Sequence, residues 1–212
     1  RGVKNITRSI AHGIIEECMI AANVEAAKFI KKSGIPTLYR NHDLPDKESI
    51  EDLFRLLRSQ GINTSSSKEI SPTALNKILS QLENNPRKVL ISMMMLRTFS
   101  QANYCQDNIG HFGLALSLYA HFTSPIRRYP DLLVHRAISQ IIDTSGQKNP
   151  VYSENKMKYF GEMCSKNERR AEKATREAEM MLKCQFLEDK VGRNYKGLIT
   201  SVHGFGFFVQ LN

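Results

Sequence analysis

Cysteine is scarce in this sequence: Cys18, Cys105, Cys164 and Cys184 are the only four in 212 residues, and no two form a C-x-x-C pair. That scatter excludes a disulfide frame and a zinc site built on cysteine pairs, and the thiols read as reduced core residues of a cytoplasmic protein. No run of about 18 apolar residues occurs, so no stretch reads as a membrane-spanning helix. Nor does any stretch have the form of a secretory signal. Acidic residues are outnumbered, 21 Asp and Glu against 30 Lys and Arg, giving a net charge of +9. With 41% hydrophobic residues the chain can still bury a sizeable core, and its positive balance favours a polyanionic partner. Metal-ligand patterns are missing as well. Asp43, Asp46 and Asp52, with Glu48 and Glu51 between them, are spread over a loop and a helix start, where their charge favours the helix N-terminus. No His or Cys group has metal-ligand spacing, and no metal site is expected within these residues.

Periodicity supplies a helix-rich outline. Polar residues 1–9 lead into a helix capped by Ser9, and Ile10 to Lys32 reads as one long helix ended by Gly34 and Pro36. Ile14, Ile15, Cys18, Met19, Ile20, Ala21 and Ala22 make it apolar almost all round, which places it deep in the fold. Glu16 and Glu17 stand out there, because a buried carboxylate is costly without a partner. Glu16 shares a face with Asn23, so either a polar pocket lined by both or an ion pair to a core arginine would accommodate it. Pro36 to Asp46, with Tyr39, Arg40 and His42, is extended. Helices follow at Glu48–Gln60, Pro72–Leu82 and Lys88–Gln101, separated by a Ser/Thr-rich loop from Ile62 to Ser71 and a break at Asn84, Asn85 and Pro86. Met93, Met94 and Met95 read as core filler. A helix over 154–188 carries i, i+4 charge pairs, Glu172 with Arg176 and Lys173 with Glu177, after a loop containing Gly146 and Pro150. From Val191 two alternating strands surround a glycine-rich turn. The chain begins at Arg1 and stops at Asn212 inside that strand pattern, so both ends read as cut.

The stretch Gly110–Ile138, GHFGLALSLYAHFTSPIRRYPDLLVHRAI, carries the sharpest signal. Ser124 followed by Pro125 predicts a helix start. Arg127 and Arg128 would then sit in a first turn that already bears partial positive charge. A bound phosphate would resolve the conflict, since a guanidinium fork grips one with two hydrogen bonds. An acidic residue from elsewhere would do so equally well. Pro130 predicts a kink that leaves Tyr129 extended, with a helix from Asp131 to Ile142. Asp131 and His135 are four apart, close enough for the carboxylate to hold the imidazole. His111 and His121 read either as structural imidazoles or as substrate contacts.

HFGLAL and SPIRRYPDL resemble the signature of the RNB family of 3′→5′ exoribonucleases. The resemblance runs through IIEECMIAAN (14–23), PTLYRNHDLP (36–45), NERRAEKATREAE (167–179) and GLITSVHGFGFFVQL (197–211), nearly the whole chain. It implies an α+β architecture: residues 1–190 as the helix-rich C-terminal part of a catalytic domain, and 191–212 as the first strands of an incomplete OB-fold. It assigns Arg127 to charge neutralisation at the scissile phosphate. Glu16, Arg128, Tyr129, Arg97 and His111 become RNA contacts, and Phe205 and Phe208 base-stacking positions, with Phe207 in the barrel core. Some family members place a glutamate of the long helix opposite the catalytic arginine; Thr175 aligns there, so neither Glu168 nor Glu172 takes that role. The family's Mg²⁺ is held by aspartates upstream of this segment, which alone would be inactive and would expose apolar faces. The expected partner is RNA, at single-stranded 3′ ends and in structured RNA, bound by a monomer away from membranes. A non-catalytic RNA-binding or scaffold fragment is the alternative.

Overall fold

A computed structural model describes residues 8–62, 71–83, 85, 87–144 and 150–211. The lead-in before Arg8, nearly all of the Ser/Thr-rich loop, Asn84, Pro86 and Gly146 lie outside the described residues. In chain order the elements are α1 (Ile10–Ser33), β1 (Tyr39–Asn41), α2 (Lys47–Ser59), α3 (Pro72–Gln81), α4 (Lys88–Thr98), β2 (Asn103–Cys105), α5 (Tyr129–Asp143), α6 (Glu154–Glu188), β3 (Gly197–His203) and β4 (Gly206–Leu211). This is a mixed, mainly helical α+β fold. It divides into two compact units, Arg8–Arg169 and the chain from Arg170 onward, and α6 contributes to both.

Three clusters make the core of the first unit. Ala26, Ala27 and Ile30 of α1 pack with Val134 and Ala137 of α5 and with Leu118 and Ala120. Gly34 ends α1 in the left-handed conformation, φ 69°, which a side chain would disfavour. The second cluster joins Leu53 and Leu57 of α2, Leu75 and Ile78 of α3, and Ile91 and Met95 of α4. Asp46 caps α2 by accepting from Ser49 N–H at 2.8 Å, and this bond lowers its carboxyl below the usual range. Ser71 caps α3 in the same way, with Pro72 next. Leu38, Tyr104, Leu133 and Met157 form the third cluster. There α6 meets β2 closely: a Cβ on Gly161 would lie 2.7 Å from the Tyr104 carbonyl oxygen. One turn on, Ser165 Oγ accepts from Tyr104 N–H at 2.9 Å.

Strand β1 pairs antiparallel with β2, Arg40 opposite Tyr104. Outside that ladder, Arg40 N–H donates to Tyr119 O at 2.9 Å and His42 N–H to Gly110 O at 3.0 Å. The Gly110–Ile138 stretch is thereby stitched to β1. Strand β2 has no counterpart in the sequence reading, because three residues are too few to show alternation. In the second unit β3 and β4 form an antiparallel hairpin with His203 opposite Gly206.

Several expectations are corrected. α1 is not deep along its whole length: Ile10, Ile14 and Ile15 are exposed, because among the described residues only its C-terminal half meets α5. Cys18 and Cys184 are exposed and are not core thiols, since each lies on an uncovered helix face. On α6 the Lys173–Glu177 pair forms at 3.9 Å, but Glu172–Arg176 does not, and Lys183 pairs with Glu179 instead. Exposed pairs of this kind gain too little to hold every partner in place. Phe207 is 61% exposed on the two-stranded hairpin, which by itself has no second layer to form a barrel core.

Candidate nucleic-acid interface

Ser124 and Pro125 do not start a helix. Residues 124–128 make one turn, closed by Arg127 N–H and Arg128 N–H donating to Ser124 O at 3.3 and 3.0 Å. Helix α5 starts afresh at Tyr129. The proline ring of Pro130 would clash with the carbonyl four residues back in a continuous helix, whereas it fits the first turn of a new one. The extended residue is therefore Arg128 (φ −120°, ψ 116°), not Tyr129.

This break separates the twin arginines. Arg128 turns inward: its Nη2 donates at 2.7 Å to Oδ2 of Asp131, a fully buried carboxylate. The same oxygen accepts from Ser124 N–H at 2.8 Å. Asp131 is thus committed to the turn and does not hold His135. That imidazole donates from Nε2 to Phe122 O at 2.9 Å and stacks on the Phe122 ring, 4.2 Å between centroids. Arg127 is exposed, and its side chain has no hydrogen-bond or ion-pair partner among the described residues. Of the two ways to answer the paired charge, an acidic residue serves Arg128 and leaves Arg127 open to an anion. Tyr129, 42% exposed, stands edge-on to Phe160.

Behind the turn lies a half-buried polar layer. Asn23 is buried on α1, its Nδ2 donating to Tyr119 Oη at 2.9 Å and its Oδ1 accepting from Phe122 and Thr123 N–H at 2.9 and 3.2 Å. Tyr104 Oη and His121 Nδ1 are hydrogen-bonded at 2.9 Å. Arg40 lies over the Tyr104 ring at 4.5 Å and pairs with Glu168 at 2.6 Å. His111 accepts from Leu114 N–H on Nδ1 at 3.2 Å, and its ring lies 5.1 Å from that of His42.

The other expected contacts are dispersed. Glu16 is exposed and paired with Arg8, so the buried carboxylate expected on α1 is absent. It shares no pocket with Asn23, because two helical turns, about 10 Å, separate them and only the second is covered. Arg97 is exposed near the end of α4. In the second unit Phe205 is 83% exposed, stacks on His203 at 5.3 Å, and meets Phe208 edge-on at 6.1 Å. Sequence reasoning missed the Arg40–Tyr104–Glu168 stack: it placed Arg40 with Tyr39 and His42 in an extended segment, but Glu168 lies 128 residues further along the chain. Among the described residues no group of three or more His, Cys, Asp or Glu side chains could hold a metal ion.

Burial is the main cause that lowers His111 to about 4 and His121 to about 3, with the His42 ring adding at the first and the Arg128 and Arg40 guanidiniums at the second. Both imidazoles are neutral at physiological pH and add no charge to the site. The unfolded chain takes up these protons near 6.5 while the folded chain refuses them until about 4 or 3. Stability therefore falls as pH drops through that window and is fully present above it. The melting midpoint is expected to decline from pH 6.5 to pH 4, and His121→Gln to flatten the decline, as pH-dependent calorimetry would show.

The sequence profile of the RNB domain matches residues 2–144. Ribonuclease R of Vibrio cholerae serotype O1 is 44% identical to this chain, over 99% of it and 27% of the relative. The chain thus spans about a quarter of the length of the curated relatives it matches. Mycoplasma genitalium RNase R, solved in complex with ribose methylated single-stranded RNA, shares the fold with a TM-score of 0.88 at 24% identity, over 98% of this chain and 33% of that one. Yeast Ssd1, a pseudonuclease, matches with a TM-score of 0.66 at 25% identity, over 74% of this chain and 20% of that one. The matched domain takes in Asn23, the Ser124–Arg128 turn and Asp131 alike, and by it the chain belongs to the RNB domain family.

Proposed function

We propose that this chain is the phosphate-gripping part of a processive, hydrolytic 3′→5′ exoribonuclease that acts in RNA turnover and processing. One observation carries the reading: in a chain of the RNB domain family, the Arg127 guanidinium, unpaired among the described residues, is presented on a turn whose neighbours are tied to buried side chains. In the full-length protein, water attacks the phosphorus of the last phosphodiester and the P–O3′ bond breaks. A nucleoside 5′-monophosphate leaves, and the shortened strand keeps a 3′-hydroxyl. Arg127 binds the non-bridging oxygens and offsets the charge that grows there. Tyr129, next in the chain to the turn, contacts the terminal nucleotide; Glu16, His111 and Arg97, which stand apart from it, meet the strand at other points, and Arg128 acts from within the turn through Asp131. Residues 1–190 form the C-terminal part of the catalytic domain. Phe205 and Phe208 stack bases in an OB-fold begun at 191, which needs three more strands to close.

The reaction calls for a divalent cation, which we assign as Mg²⁺. The described residues do not fit it, since they gather no group of three or more His, Cys, Asp or Glu side chains that could hold a metal ion. Its ligands belong to other parts of the polypeptide, and the 212-residue segment by itself is expected to be inactive. We further assign the protein to the cytoplasm as a monomer acting on single-stranded 3′ ends and structured RNA.

A second reading, a non-catalytic RNA-binding scaffold, is favoured by the likeness to a pseudonuclease. End-labelled single-stranded RNA incubated with the full-length protein separates the two. Stepwise shortening with release of 5′-mononucleotides, stopped by chelation, is the expected result. RNA binding without mononucleotide release would establish the scaffold.

A further inference from the structure

Phe122, Thr123 and Ser124 lie just ahead of Arg127, and among the described residues none of their three successive backbone N–H groups finds a backbone partner. Asn23 Oδ1 takes the first two at 2.9 and 3.2 Å, and Asp131 Oδ2 takes the third at 2.8 Å. The two acceptors come from different helices, α1 and α5, and are 3% and 0% exposed. The three residues are half-buried and their amides are bonded to these two buried oxygens, so the path of the backbone here follows where the oxygens stand. Asn23 is itself oriented, because Nδ2 donates to Tyr119 Oη at 2.9 Å and Tyr119 O accepts from Arg40 N–H. Its amide therefore has a fixed face toward the turn, beside the apolar contact that Phe122 makes with the α1 cluster.

We propose that Asn23 is a positioning residue for the phosphate-binding arginine: by holding Phe122 and Thr123 it fixes the Ser124–Arg128 turn and hence the direction of Arg127. The proposal rests on the nuclease reading for its kinetic consequence but on the hydrogen bonds alone for its structural one. Arg127 is too exposed to be held by its own packing, so its aim is inherited from the backbone beneath it. A displacement of about 1 Å at such a group costs on the order of 100-fold in rate.

The test is a double-mutant cycle in the full-length protein, with Asn23→Leu, which keeps volume but removes the acceptor, and Arg127→Ala. Asn23→Leu is expected to lower kcat for mononucleotide release about 100-fold with KM little changed. In the Arg127→Ala background it is expected to cost almost nothing more, because the group it aims is gone. Multiplying losses would overturn the proposal. Asn23→Asp, which retains an acceptor oxygen, is expected to recover most of the rate; if the leucine variant fails to fold, Asn23→Ala, which also removes the acceptor, supplies the cycle. Amide hydrogen exchange gives a readout independent of cleavage: protection at Phe122 and Thr123 should drop in Asn23→Leu while that of α5 persists. Unchanged protection would also overturn the proposal. A parent protein that releases no mononucleotide would sink the nuclease reading, and the exchange measurement would still decide whether Asn23 sets the turn.

Discussion

Replacing Arg127 by alanine in the full-length protein is expected to lower the rate of mononucleotide release by about 10²–10³-fold while leaving the melting temperature nearly unchanged. The two halves of that result come from the same fact. The Arg127 side chain is exposed and has no partner among the described residues, so its removal breaks no interaction of the folded state. Its loss is felt only where negative charge develops on a phosphate. Arg127→Lys should recover part of the affinity but little of the rate, because an ammonium cannot present the bidentate fork. Release at the unaltered rate by Arg127→Ala would remove the catalytic role.

Arg128→Ala should behave in the opposite way, with a loss of stability of about 3–5 kcal/mol. Asp131 is fully buried, and among the described residues Arg128 is the cation paired with it. Truncating the arginine strands a carboxylate away from water, and the charge rather than the missing contact sets the cost. The pair is held by a single bond, with Arg128 Nε and Asp131 Oδ1 both buried and without partners, so it contains no reserve that could compensate. Asp131→Asn added to Arg128→Ala is therefore expected to restore most of the stability, since an amide oxygen still accepts from Ser124 N–H without charge. Denaturant unfolding measures this recovery. RNA affinity measured on the same pair separates two roles for Arg128. Affinity that returns with stability makes it a support of the turn, and affinity that stays lost makes it a contact of its own.

What the sequence made readable was what periodicity and caps encode. The long helix 154–188 was found to the residue, and the helices read from Glu48 and Pro72 begin at Lys47 and Pro72, behind the caps Asp46 and Ser71. The twin arginines were picked out because like charges side by side need an explanation. Their opposite fates were not readable, because these depend on Asp131 meeting Ser124 across the break at Pro130. Local patterns cannot say which of two neighbouring residues a turn points inward. Asn23 was noticed only as a possible pocket mate of Glu16, for its partners at 119, 122 and 123 lie about a hundred residues away in the chain. The exposure of Ile14 and Ile15 was equally hidden, because an apolar face does not announce what covers it.

Gly161 has a consequence for α6 as a mechanical part. Bare backbone there faces the Tyr104 carbonyl, and Phe160 or Glu162 in its place would collide with it, so the helix cannot roll about its axis or slip along it. Ser165 and Glu168, one and two turns on, bond Tyr104 and Arg40 from the same side. The rod is keyed like a shaft in its slot. Inserting or deleting one residue between Gly161 and Glu168 would rotate everything past it by about 100° and tear at least one of these fastenings open.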